Sequence, residues 1–226
     1  MNLVFLRRII TTSIGRKLIM ALTGLLLVGF VSFHLMSNLV LLGGQETYNA
    51  YVSHLTGMPG LLFIETGLFS LFLIHILMGI YVRWEDFRNS PTGYKKRNWQ
   101  GGRTIGSATM LYTAATILIF IVYHIFTFRF SDHSMGFYEM VTKAFKDPVY
   151  VTIYVLGALA MVLHLSHGVQ SIFQTLGINH LKFTPFIKFG GWIIALAMVA
   201  FALLPIIFLF GFENSCFIAW LVGLIH

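Results

Sequence analysis

Five apolar runs, each long enough to cross a lipid bilayer, constrain this chain more than any other feature. They cover residues 17–42, 61–83, 105–130, 149–173 and 188–212. A helical crossing takes about 20 mostly apolar residues. Hydrocarbon offers no partner to backbone N–H and C=O groups, so each run must satisfy its own, as an α-helix does. Composition agrees: the chain is 57% hydrophobic and 10% charged, against roughly 25% charged in a soluble domain. The expectation is an all-α membrane protein with five transmembrane helices, one integral-membrane domain over residues 1–226. The tail at 217–225 is too short for a sixth crossing and is expected at the interface. The first run is too long for the core of a secretion signal and lacks a small-residue cleavage pattern, so it should remain as an anchor. Asp147 with Pro148, and Thr184 with Pro185, read as helix caps followed by proline in the first turn. Gly43–Gly44 and Gly101–Gly102 read as loops. The single cysteine, Cys216, excludes an intrachain disulfide and a Cys-based zinc or iron–sulfur site.

Basic residues set the orientation. Arg7, Arg8, Arg16 and Lys17 precede the first run. Arg83, Arg88, Lys95, Lys96, Arg97 and Arg103 lie between the second and third, and Lys182 and Lys188 between the fourth and fifth. Of the 15 Lys and Arg residues, only Arg129, Lys143 and Lys146 fall on the other side. The rich side is expected to be cytoplasmic, with the N-terminus inside and the C-terminus outside. The net charge of +7 is therefore a topology signal rather than a nucleic-acid footprint. The amphipathic start at 3–12 and the basic loop at 85–102 offer a surface for a cytoplasmic partner, or for lipid headgroups.

Five of the nine histidines lie inside the runs: His34, His75, His124, His164 and His167. His54, His133, His180 and His226 fall in loops or at the terminus, where a solvated imidazole costs little. An ionisable group within the membrane is a functional hypothesis by default. The first four helices each carry at least one, and the fifth none. Counting rise per residue, His34 and His124 lie about 10–12 Å from the outer end, whereas His75 and His164 lie about 13 Å from the inner end. Two levels result, with two histidines from different helices at each.

Two histidines at one depth can hold a haem iron from both faces, and a four-helix bundle places such ligands in its interior. Zinc or copper would need more donors, and neither level has a nearby Cys, Asp or Glu to complete a tetrahedral set. A haem supplies four nitrogens itself. The expected cofactors are therefore two haems b, about 15 Å apart along the membrane normal. Their axial ligands are His34 with His124 in an outer haem and His75 with His164 in an inner one. Gly157, Ala160, His164, Gly168 and Ser171 recur at spacings of three and four, which is one helix face. Gly79 sits one turn after His75. Such small residues would let a flat group lie against the helices. The 10 methionines are scattered and read as packing. His167 lies about 60° around the helix from His164 and one turn nearer the cytoplasm, and it reads as a neighbour of the inner haem rather than a ligand.

Several stretches, in order, resemble a known family. They are SIGRKLIMALTGLLL from Ser13, HLMSNL from His34, ETYNAYVSHL from Glu46, LIHILMGI from Leu73, HIFTFRF from His124 and HLSHGVQSIFQTLG from His164. Together they are similar to the five-helix, two-haem cytochrome b anchor subunit of succinate:quinone oxidoreductases, which include succinate dehydrogenases and fumarate reductases. The resemblance covers almost the whole chain. It implies a multi-pass protein of a bacterial cytoplasmic membrane, joined on the cytoplasmic side to a flavoprotein subunit carrying FAD and to an iron–sulfur subunit. It implies electron transfer between that partner and a quinone, often menaquinone, with dimerisation of the complex left open. It also maps the axial ligands onto the same four histidines, with the first histidine of HLSHG as the ligand.

This chain has no flavin-binding glycine fingerprint and no cysteine cluster, so dicarboxylate chemistry would belong to its partners. A quinone needs an apolar slot and hydrogen-bond partners. At the outer end Asn38, Tyr48, Tyr51, His54 and Glu65 are candidates. A second, inner site would fall near Ser13, Arg16 and Tyr94. Arg16, Lys17, Arg83, Ser171 and His167 are candidates to meet inner-haem propionates. Two other readings stay open on the residues alone: the di-haem anchor of a hydrogenase or formate dehydrogenase, and a transporter using buried histidines as a relay.

Overall fold

The computed structural model describes residues 11–89, 105–178 and 182–214, with 218 and 223. Arg7, Arg8, Tyr94, Lys95, Lys96, Arg97, Arg103, His180, Cys216 and His226 lie outside the described residues, as do most of the N-terminal amphipathic segment, the basic loop and the tail.

Helix α1 spans Ser13–Leu39, and the Thr12 hydroxyl caps it by accepting from the N–H of Gly15 at 3.2 Å. A 3-10 turn, Val40–Gly43, tightens its exit. Gly44, at φ +87°, then turns the chain where a side chain would be strained, and α2 follows over Gly44–Thr56. Helix α3 spans Leu61–Asn89, α4 Ile105–Phe128 and α5 Phe137–Ala144. Helix α6 covers Pro148–Thr175, and Asp147 caps it as expected, its carboxylate accepting from the N–H of Val149 at 2.8 Å. Helices α7, Thr184–Ala197, and α8, Val199–Phe210, complete the set. No strand occurs among the described residues.

Five helical stretches are long and apolar enough to cross a membrane, at Ser13–Thr56, Leu61–Asn89, Ile105–Phe128, Pro148–Thr175 and Thr184–Phe210. They match the five expected crossings, with three corrections. The loops after the first and third crossings contain helices, α2 and α5. They pack on each other, and Asn49 on α2 accepts from the N–H of Tyr138 in the first turn of α5 at 2.9 Å. Thr184 is the first helical residue and Phe183 takes the cap position, without a side-chain bond. Finally, the fifth crossing is broken at Met198. Pro205 lies inside α8, after the break; it has no N–H, and its ring crowds the carbonyl four residues earlier, that of Phe201. Just upstream, the ladder tightens to three-residue bonds, Met198 to Ala195 and Phe201 to Met198.

Packing is uneven around the bundle. Helix α6 is central, contacting α1, α4, α7 and α8. One core cluster gathers Leu41, Tyr48, Val141, Phe145, Tyr154 and Phe208 at the α2/α5 end; a second gathers Leu35, Leu165, Val169, Ala195 and Met198 among α1, α6 and the broken crossing. Helix α3 packs on α1 and makes at most marginal contact with α4 or α6. Val82 is its one buried residue. The four histidine-bearing helices thus form two pairs, α1 with α3 and α4 with α6, joined mainly where α1 meets α6.

Candidate cofactor site

At the α2/α5 end, His34 from α1 and His124 from α4 bring their rings together, centroids 5.8 Å apart and planes nearly perpendicular. Aromatic rings enclose both. Phe30 stacks on His34 at 5.6 Å, and Phe201, just past the break in the fifth crossing, lies 5.8 Å away. Phe120, Phe128 and Tyr154 surround His124, and the Tyr154 hydroxyl lies 3.2 Å from its Nδ1. Gly157 was expected to face a flat group together with His164. It instead receives the ring of Phe120: a Cβ there would come 2.5 Å from the Phe120 Cγ. Its missing side chain makes room for the aromatic wall beside His124.

Towards the basic end lie His75 on α3 and His164 on α6. Each is met by a threonine hydroxyl. Thr23 Oγ1 of α1 is 3.1 Å from His75 Nδ1, and Thr113 Oγ1 of α4 is 3.4 Å from His164 Nδ1. Gly24 lets His75 lie against α1, since a Cβ at that position would come 3.1 Å from the imidazole Cε1. Gly79 and Gly168, each one turn beyond a histidine, are half-buried with no heavy atom within 4 Å of an added Cβ. Space is therefore open at both glycines, one turn along from each histidine.

Both levels suit a ligand that brings most of its own donors. Among the described residues no group of three or more His, Cys, Asp or Glu could hold a bare ion. Two imidazole nitrogens about 2 Å from one metal put the ring centres roughly 6 Å apart, close to the 5.8 Å between His34 and His124. Two imidazoles at this spacing fit a metal that a macrocycle already holds by four nitrogens.

The remaining candidates scatter. His167 stands at the start of α4, its Cβ 3.0 Å from the position a Cβ on Gly106 would take. Ser171 is half-buried on α6. Arg16 is buried and committed: it bonds Glu85 at 2.6 Å and the carbonyl of Thr11 at 2.7 Å, with Tyr81 beneath its guanidinium at 4.5 Å. Lys17 and Arg83 are exposed. At the other end, Asn38 donates to the carbonyl of His34 at 2.7 Å, and Tyr51 shares a hydrogen bond with Ser37 at 2.7 Å. Tyr48 is buried against Tyr138, and His54 is exposed. Glu65 meets Arg129 in a two-pronged pair, at 3.0 and 3.1 Å. That hydrogen-bonded carboxylate raises the pKa of Arg129. Nearby in sequence, the hydroxyl and N–H of Ser134 hold the Asp132 carboxyl below its ordinary value.

Sequence reasoning missed Thr23, Thr113, Tyr154 and Arg129. The Thr23–His75 and Thr113–His164 contacts span 52 and 51 residues. Only the helical phase of each threonine could have pointed to them.

A family model described as the succinate dehydrogenase/fumarate reductase transmembrane subunit matches residues 17–102, the stretch that contains His34 and His75. The chain is also similar to the succinate dehydrogenase cytochrome b558 subunit of Bacillus subtilis (strain 168). The two are 26% identical over 164 residues, covering 70% of this chain and 78% of that one. No solved structure matches the chain.

Proposed function

We propose, from its similarity to the succinate dehydrogenase/fumarate reductase transmembrane subunit over residues 17–102 and to the Bacillus subtilis cytochrome b558 subunit, that the chain is a membrane anchor of that family and carries electrons across its bundle through two bis-histidine haems b. The electrons pass between an iron–sulfur subunit at the basic end and a membrane quinone, with menaquinone the preferred candidate. The basic end is the cytoplasmic one on this reading, and a flavoprotein partner there performs the dicarboxylate chemistry. The observation that carries the proposal is the approach of His34 and His124 from separate helices, ring centres 5.8 Å apart, above a second histidine level open on the sides of Gly79 and Gly168.

Haem, when bound, supplies a reversible one-electron carrier. The chain's own residues do the rest. His34 and His124 hold one level, and His75 and His164 the other. Phe30, Phe120, Phe128 and Phe201 exclude water from the first, which keeps its dielectric low. Two levels shorten each tunnelling step, because tunnelling decays steeply with distance. Asn38, Tyr48 and Glu65 belong to the quinone end of this scheme, with Arg129 added as the partner of Glu65. Arg16, Ser171 and His167 belong to the inner end.

The test is a reduced-minus-oxidised absorption spectrum of the purified complex. Two low-spin b-type signals are expected, and their absence would sink the reading. Alanine at His34 or His124 should remove one haem, and alanine at His75 or His164 the other. Loss of the same haem from His34→Ala and His75→Ala would show the pairing to be wrong.

A further inference from the structure

The two histidines of the deeper level share a feature that their sequence neighbours do not announce. Each faces a threonine hydroxyl through Nδ1, and each threonine sits on a different helix from the histidine it meets. A hydroxyl has one hydrogen to give and lone pairs to accept with. In both threonines that hydrogen is already engaged. Thr23 Oγ1 lies 2.8 Å from the carbonyl of Ile19 and 3.1 Å from that of Met20, and donates to them. Thr113 Oγ1 lies 3.0 Å from the carbonyl of Met110 and 3.2 Å from that of Thr109, with the same role. Each oxygen can then only accept from the imidazole. The proton of each ring is drawn to Nδ1, leaving the Nε2 lone pair free.

We infer that Thr23 and Thr113 are positioning residues for the deeper haem: they fix the Nδ1–H tautomer and ring plane of His75 and His164, so that both rings offer Nε2 to the iron. The inference rests on the haem reading above. A histidine that ligates a metal is generally held by a partner on its other nitrogen, which fixes the ring and raises its basicity. Here the partner is a neutral hydroxyl locked to helix backbone, on both sides of the level. Gly24 adds a steric guide beside Thr23, since a Cβ there would press on the His75 ring at 3.1 Å. The other level is built differently. His124 meets a phenol, that of Tyr154, and His34 is bordered by the rings of Phe30 and Phe201.

The experiment replaces Thr23 and, separately, Thr113 by valine, which keeps the shape and removes the oxygen, and by serine, which keeps the oxygen. The whole complex is titrated electrochemically in its membrane and followed by optical and EPR spectroscopy. Loss of an acceptor from Nδ1–H weakens electron donation to the iron. The valine variants should therefore shift the potential of the deeper haem alone to more positive values and alter its low-spin EPR anisotropy. The serine variants should restore both. Loss of the deeper haem from valine variants but not from serine variants also supports the inference. Unchanged potential and EPR in both valine variants would overturn it, and so would equal loss of haem from valine and serine variants. A wild-type complex with no haem would fail the underlying reading instead, so the two failures are distinguishable.

Discussion

At the residue scale, the environment of each ionisable side chain separates structural from functional roles. Arg16 is buried with Glu85 and Tyr81 around it. Removing one partner of such a pair leaves a charge poorly solvated, so its first job is to tie the start of α1 to the far end of α3. Glu65 and Arg129 form a more open pair, whose side chains are 36% and 59% exposed. Exposed pairs contribute about 0–1 kcal/mol. Glu65→Gln should therefore leave the melting temperature of the detergent-solubilised protein nearly unchanged. Its effect should appear in quinone turnover, which should fall while haem reduction from the partner side stays normal. Gly157 gives the opposite case. A Gly157→Val variant forces the Phe120 ring to move, and overpacking of this kind costs about 1–3 kcal/mol. A thermal melt should show that loss, with a spectral change confined to the haem proposed for His34 and His124. Both glycine and carboxylate were visible in the sequence as candidates. Their partners, Phe120 and Arg129, were not, because no local pattern joins residues tens of positions apart.

At the element scale, the long helices were legible and the short ones were not. Hydropathy over 20 or more residues outweighs any competing signal, and the ends of α4 and α6 fall within two residues of their expected places. Helices α2 and α5 have 13 and 8 residues, too few for composition to stand out from a loop, and α5 depends on Asn49 of α2 for its first turn. The break at Met198 was hidden for another reason: the run is apolar throughout, and neither glycine nor proline stands at the break. Its effect reaches the cofactor level through Phe201, which rests near His34. Pro205→Ala supplies an N–H for the Phe201 carbonyl and should shift the turn that sets Phe201 beside that ring. The expected outcome is a shifted potential for the haem of His34 and His124 with the other haem unaltered, measured by optical redox titration.

At the scale of the whole molecule, the approach of His34 to His124 was readable because rise per residue converts position into height. Which helices touch was not readable, since every crossing is apolar on all sides and lipid is no worse a neighbour than another helix. The structure answers with two helix pairs that meet chiefly along α1 and α6. Haem-depleted protein, or the His75→Ala variant, should show faster hydrogen exchange in the amides of α3 than the loaded wild type, while α6 stays protected. Equal protection of α3 in both would count against a cofactor bridging the pairs. The same arrangement bears on assembly. Because α3 packs chiefly on α1, it acts as a door hung on one jamb. A bulky planar guest has a sideways entrance that needs no unfolding of the central post. On the proposed function, a guest held by His75 and His164 would fasten α3 to the central post while the Arg16–Glu85 pair ties α1 to α3, so cofactor loading should come before docking of the proposed soluble subunits.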